Sequence, residues 1–563
     1  MRPIMFRGSI LTMNPRRPRA SALLAADSKV VALDTEADEM AASMGLDSGG
    51  VEVIELGERV LIPGLTDAHH HFAQSAAQGY WVDVRPEVAP SVDEVVALMA
   101  EAPVGAWAIG WGADDAQQGR MPSRQELTEA VPDRPAMVIH ASYHAVSVND
   151  LALEAGGVTK STPDPAGGKI ERGRDGEATG VLHDAAMTIV AQPGQAAALE
   201  DPAMDWAGLA DAHQERMLSF GFTHLCDACA PPEFEALYRR LNADGALRLS
   251  MTVSPTGSGG FFVDPGDRLE GTPTGEAVGR LRTGPLKVFM DGANLCALSL
   301  PTFGLVAAAA KTAYRGLRRR DLSVLMMLAD RSAPMSMKGG HIHRGEMLLP
   351  AERFNALVKD ATDRGFAVMT HALGNRTIAT ALDAYDKVSN PVETFRLEHV
   401  TITDPGVVKR LGSSPVHIAT QPGFISLFPW LAEVPTPGGF AVVPVASLDA
   451  ASASVAFSTD QPSGEPDPWR GLASAISRLN QRGEPVSPSE AVGPERALEA
   501  FTRDAARVSG YAGGVLEAGR PADMVMLDSD PLADGALAEE RVRPEATWVD
   551  GELAWSRRGE HRS

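Results

Sequence analysis

Five short apolar runs in this chain each end in residues that bind metal ions or carry charge, and few folds can use that pattern five times. They deliver Asp67-Ala68-His69-His70-His71, Lys287-Val288-Phe289-Met290-Asp291-Gly292, His371 in Val368-Met369-Thr370-His371-Ala372, His399 in Arg396-Leu397-Glu398-His399, and Asp460 in Ala456-Phe457-Ser458-Thr459-Asp460. Runs of this length read as buried strands. Side chains two apart on a strand point to the same side, so His69 and His71 can grip one ion while His70 faces away. Core packing gives no reason for such residues at five strand ends, so the pattern points to a metal centre.

Between these runs, apolar strand candidates alternate with amphipathic stretches, the signature of βα units. Strands are expected near 63–69, 222–228, 247–253, 285–290, 366–371, 395–399, 416–421 and 455–460. Eight such strands predict an α/β fold, a (β/α)8 barrel spanning about 63–512, with its active site at the C-terminal strand ends. The first gap is far too long for one helix, which predicts an insertion over about 80–195 with its own strands, Ala136–His140 among them. A second insertion, about 296–350, separates the fourth strand from its helix, and its Ala307–Ala310 run reads as helical. Both insertions leave from the site end and should wall the pocket. Residues 1–62 and 513–563 read as short strands and turns, for example Ala22–Ala26 and Val30–Leu33 around Asp27-Ser28-Lys29.

The sequence resembles the amidohydrolase superfamily, and within it the large-subunit group that includes the N-substituted formamide deformylases and D-aminoacylase relatives. The resemblance runs from Ile62-Pro63-Gly64-Leu65-Thr66-Asp67-Ala68-His69 through Gly221-Phe222-Thr223, the Lys287 segment, Thr370-His371-Ala372-Leu373-Gly374-Asn375-Arg376 and Gln421-Pro422 to Gly513–Val525. It implies that the two chain ends pair into one composite β-sandwich beside the barrel. It also places Lys287 at the family's bridging lysine, which CO2 converts to a carbamate. Tyr143–Asn149 resembles a pocket-facing segment of the group, which implies that His144 hydrogen-bonds the substrate carbonyl. Two departures stand out: Asn375 replaces a usual Asp, and Ser458-Thr459 replace a usual Gly-Ser before Asp460.

The chemistry follows from the residue types. Amide hydrolysis at neutral pH needs a strong nucleophile, a polarised carbonyl and a proton for the leaving amine. A metal-bound water supplies the nucleophile because the cation lowers its pKa to ~7. Imidazole and carboxylate suit Zn2+, with Mn2+ or Fe2+ as alternatives. His69, His71 and Asp460 form one expected ligand set, and His371 and His399 the other, with the Lys287 carbamate bridging. Without that modification Lys287 reads as an ammonium paired with Asp291. Asp460 is the candidate general base and acid. Trp81, Trp111, Phe261, Phe262, Phe424 and Trp430 fall where loops should surround the mouth, and the glycines of Gly257–Gly260 permit a mobile loop before the two phenylalanines. His341-Ile342-His343 lies in the second insertion and matches no family metal motif.

The formal charge of −22 argues against nucleic acid and anionic membranes as partners. Cys226, Cys229 and Cys296 cannot make a disulfide framework, which fits a cytoplasmic location, and Cys226-Asp227-Ala228-Cys229 reads as packing rather than a zinc or redox motif. No apolar run reaches the ~18 residues of a membrane helix, and the first residues lack the pattern of a signal peptide. A homodimer is the default expectation. The sequence therefore reads as a metal-dependent hydrolase of a non-peptide C–N bond in a small N-acyl or N-formyl amine. A deaminase, lactonase or carbamate hydrolase on the same barrel is the alternative, and a non-catalytic metal-binding protein a more distant one.

Overall fold

Parallel strands covered on both faces are buried along their whole length, and the central strands obey this even where they carry Asp67, Asp227, Arg396 and Glu398. Leu65–His70, Phe222–Ala230 and Phe395–Thr403 are buried at every position. The computed structural model describes residues 2–45, 50–292, 296–319, 334–434 and 438–559. Eight parallel strands form its centre, in two sheets. One runs Ser250–Pro255, Phe222–Ala230, Leu65–His70, and the other Leu286–Phe289, Val368–Gly374, Phe395–Thr403, Val416–Thr420, Ser454–Phe457. Backbone hydrogen bonds join their edges: Asp460 N to His69 O (2.8 Å) and His71 N to Gln461 O (2.8 Å) on one side, Gly284 N to Val253 O (2.8 Å) on the other. At Gly64 a Cβ would lie 2.1 Å from the Thr223 hydroxyl, so only glycine lets the first two strands approach. Amphipathic helices such as Pro232–Ala243, Ala351–Asp363 and Asn375–Tyr385 bury one face against this centre.

Both chain ends contribute to a separate sheet of seven strands. Its order is Glu552–Ser556, Pro544–Val549, Met524–Leu527, Glu52–Pro63, Ile4–Asn14, Arg17–Ala26, Lys29–Leu33. The sheet rolls over on itself, so that Phe6 meets Trp548 edge-on with ring centroids 5.1 Å apart and Lys29 bridges to Pro521. Gly64 N donates to Asp523 O (2.9 Å), which ties this sheet to the entry of the first central strand.

After that strand the chain builds a six-stranded sheet, ordered Gly168–Arg172, Ala178–Asp184, Ala145–Val148, Ala136–His140, Ala108–Ala113, Val82–Asp83. Alternation along the strands gives it two apolar faces. Val138 and its neighbours pack on Val95, Met99 and Leu127 of two helices. Ile109, Met137, Ile139 and Val146 face the opposite way, into a cluster with Phe262 and Phe289 at the barrel mouth. The later excursion holds three short strands, Leu298–Pro301, His341–Arg344 and Met335–Lys338, and the helix Thr302–Arg319. His341 is exposed, and His343 Nδ1 lies 3.2 Å from the Arg376 guanidinium. Neither lines the site cavity described below. The three cysteines are buried free thiols. No described helix is long and apolar enough to cross a membrane.

Candidate metal centre

His69 and His71 leave the first strand on one side, as the two-residue period requires, and their rings meet edge-on at 5.3 Å. His399, midway along the sixth strand, lies 4.8 Å from His69 and 4.4 Å from His371, centroid to centroid. Asp460 follows the eighth strand; its Oδ1 is 3.4 Å from His69 Nε2 and 3.3 Å from His71 Nε2, and its Oδ2 is 3.9 Å from His399 Nδ1. Ligand atoms of His69, His399 and Asp460 all lie within 4.8 Å of one another. This trio cuts across the division expected from sequence, which put His399 with His371. His399 and Asp460 also sit at positive φ, 74° and 59°. Such backbone costs roughly 1–3 kcal/mol per residue and persists only where the surroundings enforce it.

Buried acceptors fix the imidazoles. Glu398 accepts from His69 Nδ1 (2.5 Å), which leaves Nε2 toward Asp460. Arg396 holds Glu398 with two nitrogens at 3.0 Å and donates to the carbonyls of Ala68 (2.7 Å) and Val508 (3.2 Å). Gln421 Oε1 accepts from His399 Nδ1 (2.9 Å), and Gln421 Nε2 donates to Ser458 Oγ (2.9 Å). Asp67 accepts the backbone N–H of Thr459 (2.9 Å) and its hydroxyl. Ser458 and Thr459 thus anchor the turn that carries Asp460. Asn375 instead links outward, to Ser299 and Asp404.

Burial sets the charge states. It pushes the His69 and His371 imidazoles well below their ordinary value, and His399 down to about 4. Burial alone would raise the Asp460 carboxyl, but the His71 hydrogen bond and the nearby His399 and Lys287 hold it below its usual range. Burial also pushes the Lys287 ammonium down, against the pull of Glu398. The Asp291 carboxyl rises to about 6 because it is buried; Leu373 N, Gly374 N (both 3.1 Å) and Thr377 Oγ1 (2.8 Å) donate to it. Lys287 Nζ has no hydrogen-bond partner among the described residues and lies 4.7 Å over the Phe289 ring, so the lysine–Asp291 pair weighed from sequence does not form.

Whether a cation fits can be judged from the donor atoms. Besides Lys287 Nζ, the buried atoms His71 Nδ1, His371 Nε2 and His399 Nε2 have no hydrogen-bond partner among the described residues. Unsatisfied buried nitrogens cost about 1–3 kcal/mol each. Neutral imidazoles and a carboxylate around one point are the donors a divalent transition metal takes. The residues fit the ion.

The cavity over this cluster is lined by His69, His71, Lys287, His371, His399 and Asp460, and walled by Trp81, Phe261, Phe262 and the insertion side chains Ile109, Met137, Ile139 and Val146. His144 lines it too, its ring 4.9 Å from Phe262 and 5.7 Å from His371. Phe261 lies 5.8 Å from His71, and its loop is fastened by Thr188 Oγ1 donating to Phe261 O (2.9 Å). Two aromatic expectations need correction. Trp111 instead stacks with Arg85 (4.8 Å) in a neighbouring cleft. Phe424 stands behind His399, centroids 6.3 Å apart and nearly parallel, rather than on the cavity wall. The side chain of Trp430 lies outside the described residues.

The sequence model of the amidohydrolase family matches residues 52–554. The chain belongs to the amidohydrolase family. It is a hydrolase acting on carbon–nitrogen bonds other than peptide bonds. An N-substituted formamide deformylase of Arthrobacter pascens is 29% identical, over 99% of both chains. Among solved structures, an uncharacterized metal-dependent hydrolase of Pyrococcus horikoshii shares the fold with a TM-score of 0.72 at 23% identity, covering 94% of this chain and 98% of its own. A second, of Pyrococcus furiosus, has a TM-score of 0.67 at 20% identity, covering 94% and 100%. Glu398, Arg396, Gln421 and Asp67 in this amidohydrolase escaped selection as site residues. Glu398 and Arg396 had a signal, charge inside an apolar strand next to His399, whereas the Gln421 contact depends on pairing across the sheet.

Proposed function

We propose that this amidohydrolase hydrolyses the amide of a small, neutral N-acyl or N-formyl amine carrying an apolar substituent, with Zn2+ as the preferred ion. The observation that carries the reading is the convergence of six donor residues beneath an apolar wall. His69, His71, His371, His399 and Asp460 would hold the metal. Lys287 joins them as a carbamate, formed when its neutral amine adds to CO2 and releases one proton; its buried, unpartnered Nζ supports this. The bound cation supplies Lewis-acid polarisation and lowers the pKa of water. Asp460 accepts a proton from the attacking water and returns it to the departing nitrogen as the C–N bond breaks, giving a carboxylic acid and an amine. Trp81, Phe261, Phe262 and Met137 exclude water and seat the apolar substituent, while His144 contacts the scissile amide. The alignment with the formamide deformylase over its full length supports the substrate class.

The test is a panel of N-formyl and N-acyl amines offered to metal-reconstituted protein, with Lys287→Ala and chelated protein alongside. Turnover of apolar members, lost in both controls, is expected. Preference for polyanionic substrates, or full activity and full metal content in Lys287→Ala, would overturn the assignment.

A further inference from the structure

One polar side chain in the cavity wall has no task in the hydrolysis described above. Gln74 lies three residues after His71, on the short helix Phe72–Ala77, whose residues are all buried. Two bonds fix that helix: Phe72 N donates to Asp227 Oδ2 and Ala73 N to the Tyr238 hydroxyl, both at 3.0 Å. Gln74 is 7% exposed and lines the cavity together with His69, His71 and Asp460. Its carboxamide makes no hydrogen bond to a described residue. The neighbouring polar groups of the wall are engaged. Gln78, one turn on, donates to the Tyr143 hydroxyl (3.0 Å), Ser142 Oγ meets His140 Nδ1 (2.8 Å), Gln192 donates to Ser258 O (2.6 Å) and Ser463 to Asp460 O (3.0 Å). Gln195 also lines the cavity but is only half-buried, so solvent can serve it.

A carboxamide buried without a partner costs about as much as a lost hydrogen bond, and a water that serves it must be replaced when substrate arrives. Whichever way it is turned, the group offers one NH2 donor and one oxygen acceptor. A hydroxyl can pair with either end and a second carboxamide with both, whereas a hydrocarbon can meet neither. A neutral carboxamide also gives an ionised group no counter-charge. We infer that Gln74 is a specificity-determining residue, and that the substrate carries a neutral hydrogen-bonding group, a hydroxyl or a carboxamide, close to its scissile amide. Gln74 shares the cavity with His71 and Asp460, which places the recognised group near the bond that breaks. The inference rests on the amide-hydrolase reading above and narrows its substrates from purely apolar amides to bifunctional ones.

The experiment starts from the N-acetyl derivative of an apolar amine and adds one polar group at a time. The polar members are the glycolyl amide of the same amine, the N-acetyl derivative of the matching 2-amino alcohol, and the acetamide with a carboxamide on the carbon next to nitrogen. Binding is read by calorimetry, and kcat and KM by turnover, on metal-reconstituted protein. Wild type should bind at least one polar member about tenfold or more tighter than the plain amide, because a site built to pair with a polar group penalises the analogue that lacks it. Gln74→Met keeps the length of the side chain and removes both hydrogen-bonding ends. It should abolish the preference and raise KM for the polar substrate about tenfold, with little change for the plain amide and metal content unchanged. Its stability to urea should be no lower than wild type, since no intramolecular bond is lost. A clear loss of stability or of metal in Gln74→Met would make Gln74 a structural residue and overturn the inference. So would a wild type that binds no polar member better than the plain amide, or a preference that survives in Gln74→Met. Absent turnover of every amide, with the binding preference present in wild type and gone in Gln74→Met, sinks the hydrolase reading and upholds the role of Gln74.

Discussion

Two imidazoles at the cavity lean on buried carboxylates, His69 on Glu398 in the barrel and His144 on Asp184 in the insertion, yet the two supports are built differently. Glu398 is clasped by Arg396, which is itself satisfied by two backbone carbonyls. Asp184 has only His144 as an ion-pair partner among the described residues, and its Oδ2 has no hydrogen-bond partner. The barrel support is charge-balanced and holds position. The insertion support rests on one ring–carboxylate contact. A metal site needs ligands that do not move, and the barrel gives His69 the doubly held carboxylate.

The sharpest way to break the contrast is Arg396→Met. It strands Glu398 as an uncompensated buried charge and should cost about 3–5 kcal/mol of stability, with loss of bound metal; urea denaturation and metal analysis report both. A loss under about 1 kcal/mol would mean that the barrel support is no better balanced than the other. Glu398→Gln keeps the shape but weakens the acceptor, and should lower metal affinity about 10–100-fold while the fold survives. On the insertion side, Met137→Ala should raise KM about tenfold for substrates with a bulky apolar substituent, with metal content unchanged. A fall in kcat alone would place Met137 in the chemistry rather than in the wall.

A further test is a pH dependence centred on the barrel. Burial pushes the His224 imidazole down to about 3 in the folded chain, against ~6.5 when unfolded. Between those values the unfolded state binds the extra proton. The stabilisation is therefore fully present above about pH 6.5 and declines as pH falls toward 3, by about 1.4 kcal/mol per pH unit from this group. His224→Gln should flatten the acid limb of a denaturation series by that slope; an unchanged limb would show that His224 titrates normally.

How far the sequence carried depended on whether the information was local. His69, His71, Lys287, His371, His399 and Asp460 each lie in or beside a recognisable apolar run, and the structure gathers all six around one cavity. The strands themselves were legible because apolar residues such as Val368, Met369, Val455, Ala456 and Phe457 lead into the polar ones. The sheet order of the insertion was not, since nothing local says that Ala178–Asp184 inserts between Gly168–Arg172 and Ala145–Val148. Asp184 was invisible for the same reason: it is one of 73 acidic residues, and its meaning comes from His144, forty positions away. Trp111 misled because strand parity placed it beside Ile109, while its ring lies under the Arg85 guanidinium in the neighbouring cleft.

The rolled sheet of the two chain ends has a consequence for the order of events during synthesis. Glu52–Pro63 needs Met524–Leu527 as its neighbour, and the backbone at Gly64, five residues before His69, is held by Asp523. A ribosome therefore emits the first candidate ligands long before the segment that flanks the strand leading into them. Until about residue 523 has emerged, Glu52–Pro63 lacks that neighbour and Gly64 lacks its backbone tie. The chain would then acquire its metal late, as a nearly finished polypeptide, so a product arrested short of that point would be inactive for want of a distant brace even with all six donors in place.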